Sequence, residues 1–359
     1  MFHTSPRRGR IAACALLIFG TAACSSDSDS AHGEPASTST AATFITSVPV
    51  STVAPSATDD AVLPGQEWIL YQSHHAFEQV ALIRPDGGSE HALNPNLPGT
   101  HQTKPDWSPD GNQITFMLTE NDGTEDLWLS GVEGTDARRI LDCQKPCRWI
   151  DDPSWMPDGH SIVFSRTSEV DGAGVHTLEL FDVDTGEVRV VLGPFDTQFT
   201  SGARPAPDGQ SVVFELVHKA GPEVEADVTG VTLSIAGLTS TPASVAGITD
   251  PALFAETADW SPDGSLIVYA ALAAAGDKAH DLYTVHTDGS GLTRVTNLAS
   301  TGGNATHPTF TADGTGLIFV ATINGIDRLA RVDLDGSNLR GATSGGYLQG
   351  HHPRDRPKP

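Results

Sequence analysis

Lys104, Asp152, Gly202, Thr257, His307 and His352 stand at equivalent places along the chain, each directly before the start of a recurring motif. Two histidines and an aspartate among them suggest chemistry. Neutral imidazole and carboxylate are common ligands of divalent ions, and imidazole serves as acid or base near neutral pH. His307, His352 and Asp152 are therefore a candidate metal or acid–base set, with His101 three residues before Lys104 and His351 beside His352. The same residues could equally bind a small ligand or form a polar surface hydrogen-bonded to water. No Gly-x-Ser-x-Gly elbow, His-Glu-x-x-His pair or Gly-x-x-x-x-Gly-Lys-Ser/Thr loop occurs, so no catalytic residue, cofactor or metal ligand is assigned. Asp-rich stretches such as Glu120–Asp126 lack the calcium-loop spacing with its final Glu and are expected to be hairpin tips.

The elements that must position these residues are repeats. Pro105-Asp106-Trp107-Ser108-Pro109-Asp110-Gly111 precedes Ile114-Thr115-Phe116, and Pro153-Ser154-Trp155-Met156-Pro157-Asp158-Gly159 precedes Ile162-Val163-Phe164. Related segments centre on Asp208, Asp263 and Asp313, so the turn aspartates are 48, 50, 55 and 50 residues apart. About 50 residues hold four short strands, the size of one propeller blade. Pro presets φ, Asp bonds back to its own backbone and Gly accepts positive φ, so each Pro-Asp-Gly is a turn. The aromatic before the turn is expected between blades, and the β-branched run after it in a buried strand. Pro205 and Phe310 replace Trp in two copies, and Ala312 replaces Pro in one, which predicts local repacking there.

The P-x-W-S-P-D-G-x-x-I-x-F pattern, followed by a strand, D-x-D-G and a closing strand, resembles the repeat of TolB-like propellers over about residues 66–356. The resemblance implies an all-β, six-bladed propeller over residues 63–359. The body opens with three strands and no preceding turn motif, around Trp68–Tyr71, Gln79–Ile83 and Glu90–Leu93. The C-terminal Gly350–Asp355 aligns with the missing start, so the last strand is expected to complete the first blade. Closure removes exposed sheet edges. In this topology Lys104, Asp152, Thr257, His307 and His352 ring one mouth of the central channel.

The N-terminus reads as an export signal. Arg7, Arg8 and Arg10 precede an apolar run from Ile11 to Phe19, then Gly20-Thr21-Ala22-Ala23-Cys24. A basic start, a short apolar core and small residues before a cut mark secretion, and the run is too short to span a bilayer. The small residues before Cys24 resemble a bacterial lipobox, although Thr21 stands where Leu is usual. The resemblance implies a signal peptide over residues 1–23 and lipidation of Cys24. Residues 24–62 are rich in Ser, Thr, Ala and Pro and are expected to be a disordered tether. In an oxidising compartment Cys143 and Cys147 are expected to form a local disulfide.

The 359-residue chain has 45 Asp and Glu against 21 Lys and Arg, a formal charge of −24. Such a charge argues against a nucleic-acid partner and against attraction of the body to anionic lipid, leaving Cys24 as the membrane attachment. The expected protein is a monomeric, lipid-anchored scaffold, without catalytic activity, on the outer side of the bacterial cytoplasmic membrane or in the periplasm. By the TolB resemblance its partner is another envelope protein, or else a glycan. The alternatives are a carbohydrate lyase or hydrolase using the histidine-lined mouth, and a small-ligand sensor.

Overall fold

The structure, a computed structural model, describes residue 62 and residues 66–358 apart from 74–77, 95, 98, 122, 135, 224–225, 239–243 and 345–347. The signal segment 1–23, Cys24 and the stretch 24–61 lie outside the described residues. The rest forms six four-stranded antiparallel sheets. Among the described residues no helix is long and apolar enough to cross a membrane.

Each sheet is one blade, read from the innermost strand outward. Blade 2 is His101–Trp107, Gln113–Thr119, Glu125–Gly131 and Arg138–Leu141; blade 3 is Cys147–Trp155, Ser161–Val170, Ala173–Asp182 and Val188–Phe195. Blade 4 is Gln198–Pro205, Ser211–Lys219, Val228–Gly237 and Val245–Gly247; blade 5 is Glu256–Trp260, Leu266–Leu272, His280–His286 and Thr293–Arg294. Blade 6 is Asn304–Phe310, Gly316–Ile323, Ile326–Asp333 and Arg340–Gly341. Blade 1 is assembled from both ends of the body: Gly350–Asp355 pairs with Ile69–Ser73, which continues to Gln79–Ile83 and His91–Ala92. The ring is closed by that pairing.

The core is divided among the six blade interfaces. One cluster joins Trp68, Leu70 and Leu82 of blade 1 to Trp107, Phe116 and Trp128 of blade 2, and Val62 packs into it. The other five clusters repeat the arrangement around the ring. The turn aromatics fill these interfaces, and the ring N–H groups of two of them add direction, while Trp155 Nε1 is buried without a partner. Trp107 Nε1 donates to the carbonyl of Arg354, and Trp260 Nε1 to that of Arg204 at 3.0 Å. At the blade 3–blade 4 interface, where Pro205 supplies no ring, Met156, Leu178 and Phe214 occupy the space.

Cys143 and Cys147 are bonded, with Cα atoms 5.2 Å apart. They link the end of blade 2's outer strand to the first residue of blade 3's inner strand, inside the core between these blades. Asp126, wholly buried, accepts the Cys143 N–H at 2.8 Å and so ties the same crossover to blade 2. Asp281 does the equivalent work in blade 5, accepting from Thr296 Oγ1, the Leu298 N–H and Arg294.

Candidate functional site: the channel mouth

A backbone irregularity common to all six blades builds the site. Every inner strand breaks register with its neighbour, between Leu70 and Gln72 opposite the blade 1 strand and at Thr103/Asp106, Asp151/Ser154, Ser201/Arg204, Glu256/Asp259 and Thr306/Thr309. The extra residue is a bulge. It falls on Lys104, Asp152, Gly202, Thr257, His307 and His352, all with φ between 48° and 57°. Five of the six are not glycine, and an L-residue in this region costs roughly 1 kcal/mol. The strain is offset by bonds between blades. The Lys104 N–H donates to Gln72 Oε1, Gly202 N–H to Asp152 Oδ2, Thr257 N–H to Glu215 Oε1 and His307 N–H to Thr257 Oγ1.

The sequence-derived residues divide into two groups. His307 and His352 come together, with ring centroids 4.2 Å apart in an edge-on arrangement, and His351 lies 5.5 Å from His307. Burial and the neighbouring imidazole push both His307 and His352 well below the usual histidine range, His307 to about 3, so both rings are neutral near pH 7. His307 Nδ1 is buried and has no hydrogen-bond partner. Lys104 is paired with Asp151 and lies 3.3 Å from Asp152. Burial alone would lower Lys104, but these two carboxylates hold it above its ordinary value. Burial would raise Asp152, but Lys104 above all, helped by Arg204 and the Ser201 hydroxyl, holds it below the usual range.

Asp152 also accepts the Ser201 hydroxyl at 2.8 Å besides the Gly202 N–H. It is thus committed to Lys104 and to blade 4. Among the described residues no group of three His, Cys, Asp or Glu side chains could hold a metal ion, so the two histidines and Asp152 do not converge as a ligand set. His101 faces outward beside Glu78 at 3.4 Å.

Sequence reasoning missed four acidic residues at the mouth: Asp151, the partner of Lys104, and Glu215, Glu256 and Glu125. Glu215 lies on the second strand of blade 4, opposite Ser201. A Cβ on Gly202 would stand 2.7 Å from Glu215 Oε1, so the glycine makes room for this carboxylate at the channel. Burial, then the nearby Glu256, push Glu215 up to about 8. Glu256 precedes Thr257 and is raised by its own burial; His280 Nε2, 4.0 Å away, offsets this in part. Glu125 is likewise raised by burial, then drawn down by Lys104. The glycine in the repeat was the only available signal for Glu215.

Two residues further along each inner strand is a second ring: Arg354, Asp106, Ser154, Arg204, Asp259 and Thr309, in blade order. Basic, acidic and hydroxyl residues alternate twice around the axis. Asp106 accepts from Ser154 Oγ and the Trp155 N–H, and Asp259 from Thr309 Oγ1 and the Phe310 N–H. Arg204 and Arg354 approach Asp106 at 3.8 and 3.5 Å from other blades. This ring binds the inner strands to one another across the channel.

A closed six-bladed β-propeller with a bulged, polar inner wall is the class these features define, and its architecture is TolB-like. Comparison with solved structures agrees. TolB from Acinetobacter baumannii superposes with a TM-score of 0.61 at 18% identity, covering 82% of this chain and 67% of that one. A protein of Agrobacterium tumefaciens assigned as TolB gives 0.55 at 17% identity, over 79% of this chain and 90% of that one. An oligogalacturonate lyase of Vibrio parahaemolyticus gives 0.50 at 13% identity, over 76% and 78%. At these identities the likeness is one of fold. No family model matches the chain, and no curated protein matches it by sequence.

Proposed function

We propose that the protein is an extracytoplasmic binding scaffold, held to the membrane by acylated Cys24 and presenting the propeller to a protein partner in the cell envelope. One observation carries the reading. Asp152 spends its carboxylate on Lys104 of the preceding blade and on Ser201 and Gly202 of the following one, which ties the inner strands into a rigid disc. Rigid propellers recognise partners through their rims and mouths. The fold shared with TolB structures is consistent with a place in the envelope, by an analogy that extends to architecture alone.

Cross-linking in cells tests it. A photoreactive residue at Asp171, on the mouth-side tip of blade 3, should give a discrete adduct with one envelope protein, while one at Asp208, at the opposite end of the inner strands, should not. No adduct from either position would refute the scaffold reading. Cys24→Ala should move the protein from the membrane fraction to the soluble fraction; unchanged membrane association would refute the anchor.

A second reading, a lyase or hydrolase acting on carbohydrate, draws on the neutral His307–His352 pair beside Lys104. Turnover of acidic oligosaccharides by the purified body, lost in His307→Ala, would favour it over the scaffold.

A further inference from the structure

The mouth is asymmetric in height and in charge. Second-strand residues paired with the inner strand immediately before its register break mark mouth level: Gln72, Met117, Ser165, Glu215, Ala270 and Val320 in blades 1 to 6. Beyond that level the second strands of blades 1, 2 and 5 end at Ser73, Thr119 and Leu272, and that of blade 6 at Ile323. Those of blades 3 and 4 run on to Val170 and Lys219. At about 3.3 Å per residue, blade 3 rises roughly 10 Å higher than blade 2.

The two tall hairpins are fastened together. The Gly174 N–H donates to the Pro222 carbonyl at 3.0 Å. Lys219 Nζ reaches His176 Nε2 at 3.0 Å and the Glu223 carbonyl at 2.8 Å. An ammonium only donates, so His176 Nε2 accepts and its Nδ1–H donates to Thr167 Oγ1. The result is a braced wall along one side of the opening.

The charge at the mouth is unbalanced. Among the described residues the carboxyl groups of Asp151, Asp152, Glu215 and Glu256, with Glu125 just beyond them, stand around one fixed cation, Lys104, which is taken by Asp151 and Asp152. Arg204 belongs to the ring below. Glu215 has a hydrogen bond from the Thr257 N–H and, among the described residues, no ion pair. His307, 9% exposed, offers a buried Nδ1 with no partner. Among the described residues the carboxyls of blades 4 and 5 have few partners, the Thr257 N–H for Glu215 and His280 Nε2 at 4.0 Å for Glu256, and the partnerless His307 nitrogen stands in the same ring of bulge residues.

We infer that the mouth receives a cationic group, the guanidinium or ammonium of a basic side chain on a protein partner seated against the blade 3–blade 4 wall, with Glu215 and Glu256 as its counter-ions. This rests on the scaffold reading and names the chemistry of the partner. A planar guanidinium has five N–H donors that suit two carboxylates at once. Burial in the mouth strengthens the attraction relative to the exposed acidic surface. Entry of the cation drives a proton from Glu215, which faces Glu256, Asp152 and Lys104 and is held protonated near neutral pH in the empty site. Binding is therefore tied to proton release.

Calorimetric titration of the full chain with N-acetyl-argininamide tests the inference, with the citrulline analogue as the neutral match. The arginine compound should bind and the citrulline compound should not. Its affinity should rise up to tenfold per pH unit between about pH 6 and 8, because less Glu215 remains to be deprotonated. Buffers of different ionisation enthalpy should report a released proton. Glu215→Gln should weaken binding at least tenfold and abolish that release, and Glu256→Gln should weaken it while retaining the release. Equal binding of the two compounds, no binding of either, or a pH profile unchanged in Glu215→Gln would overturn the inference. An adduct from Asp171 alongside such a failure would leave the scaffold reading standing and remove only the cationic anchor.

Discussion

Removing residues 347–359 should open the ring, because the deletion takes away the innermost strand of blade 1. The lost ladder pairs Ile69 with Asp355, Leu70 with Arg354, Gln72 with His351 and Ser73 with Gly350. The Arg356 N–H bond to the Trp68 carbonyl goes with it, as do the bonds of the Arg356 guanidinium to the Gly111 carbonyl at 2.7 and 3.1 Å. Trp107 loses its acceptor on Arg354. At about 1 kcal/mol net for each bond, the polar loss is roughly 6–8 kcal/mol. Ile69, Leu70 and Tyr71, all wholly buried, lose part of their cover, which adds roughly 1–3 kcal/mol. The sum rivals the ~5–15 kcal/mol by which a whole domain is stable. Thermal melts followed by circular dichroism should therefore show a fall of at least ~15 °C, or no folded protein. Deleting residues 25–60 should leave the transition in place. A truncated ring that melts within a few degrees of the intact body would refute the closure argument, whatever the strand order.

Four further outcomes follow from the same interactions. Replacing Cys143 and Cys147 together by Ser should cost about 2 kcal/mol, the entropy of a short closed loop, read as a lower melting temperature that reductant no longer changes. Asp281→Ala removes a fully buried carboxylate with at least three donors and should cost about 3–5 kcal/mol in urea denaturation, against less than ~1 for an exposed aspartate such as Asp288. Gly202→Ala should cost about 1–3 kcal/mol through positive φ and collision with Glu215; in a double-mutant cycle Glu215→Ala should recover the collision part but not the backbone part. Finally, a carboxyl raised in the folded state from 4.5 to about 8 by burial holds its proton more tightly when folded. Its contribution is most favourable below the unfolded value and declines as pH climbs from about 4.5 to 8, so stability should fall over that window and Glu215→Gln should reduce the slope by up to about 1.4 kcal/mol per pH unit.

The parts of this architecture that were legible in the sequence are those built by local chemistry. A Pro-Asp-Gly turn declares itself wherever it stands, because its residues meet the demands of its own dihedrals. Five such turns at blade spacing, with an orphan half-blade at each end of the body, were enough to place the ring and its closure. The same register located the bulge residues from Lys104 to His352, and it could have located the second ring from Asp106 to Arg354, since that ring lies two residues further along the same strands. What the repeat could not disclose was which groups meet across blades. Asp152 looked available beside two histidines, yet Lys104 is 48 positions before it and Ser201 is 49 after it, and both reach it only because adjacent inner strands lie side by side. Glu215 is the instructive omission. It is not in the motif, but it sits where Gln72 sits in blade 1, and both accept the N–H of the next blade's bulge. A glutamine meets that demand without charge, whereas a glutamate meets it and leaves a charge to be neutralised. In blade 4 a proton now does so, and the bulge glycine leaves room for the carboxyl group. One position serving one backbone bond in two blades thus becomes structural in one and receptive in the other, a difference set by a single ionisable group.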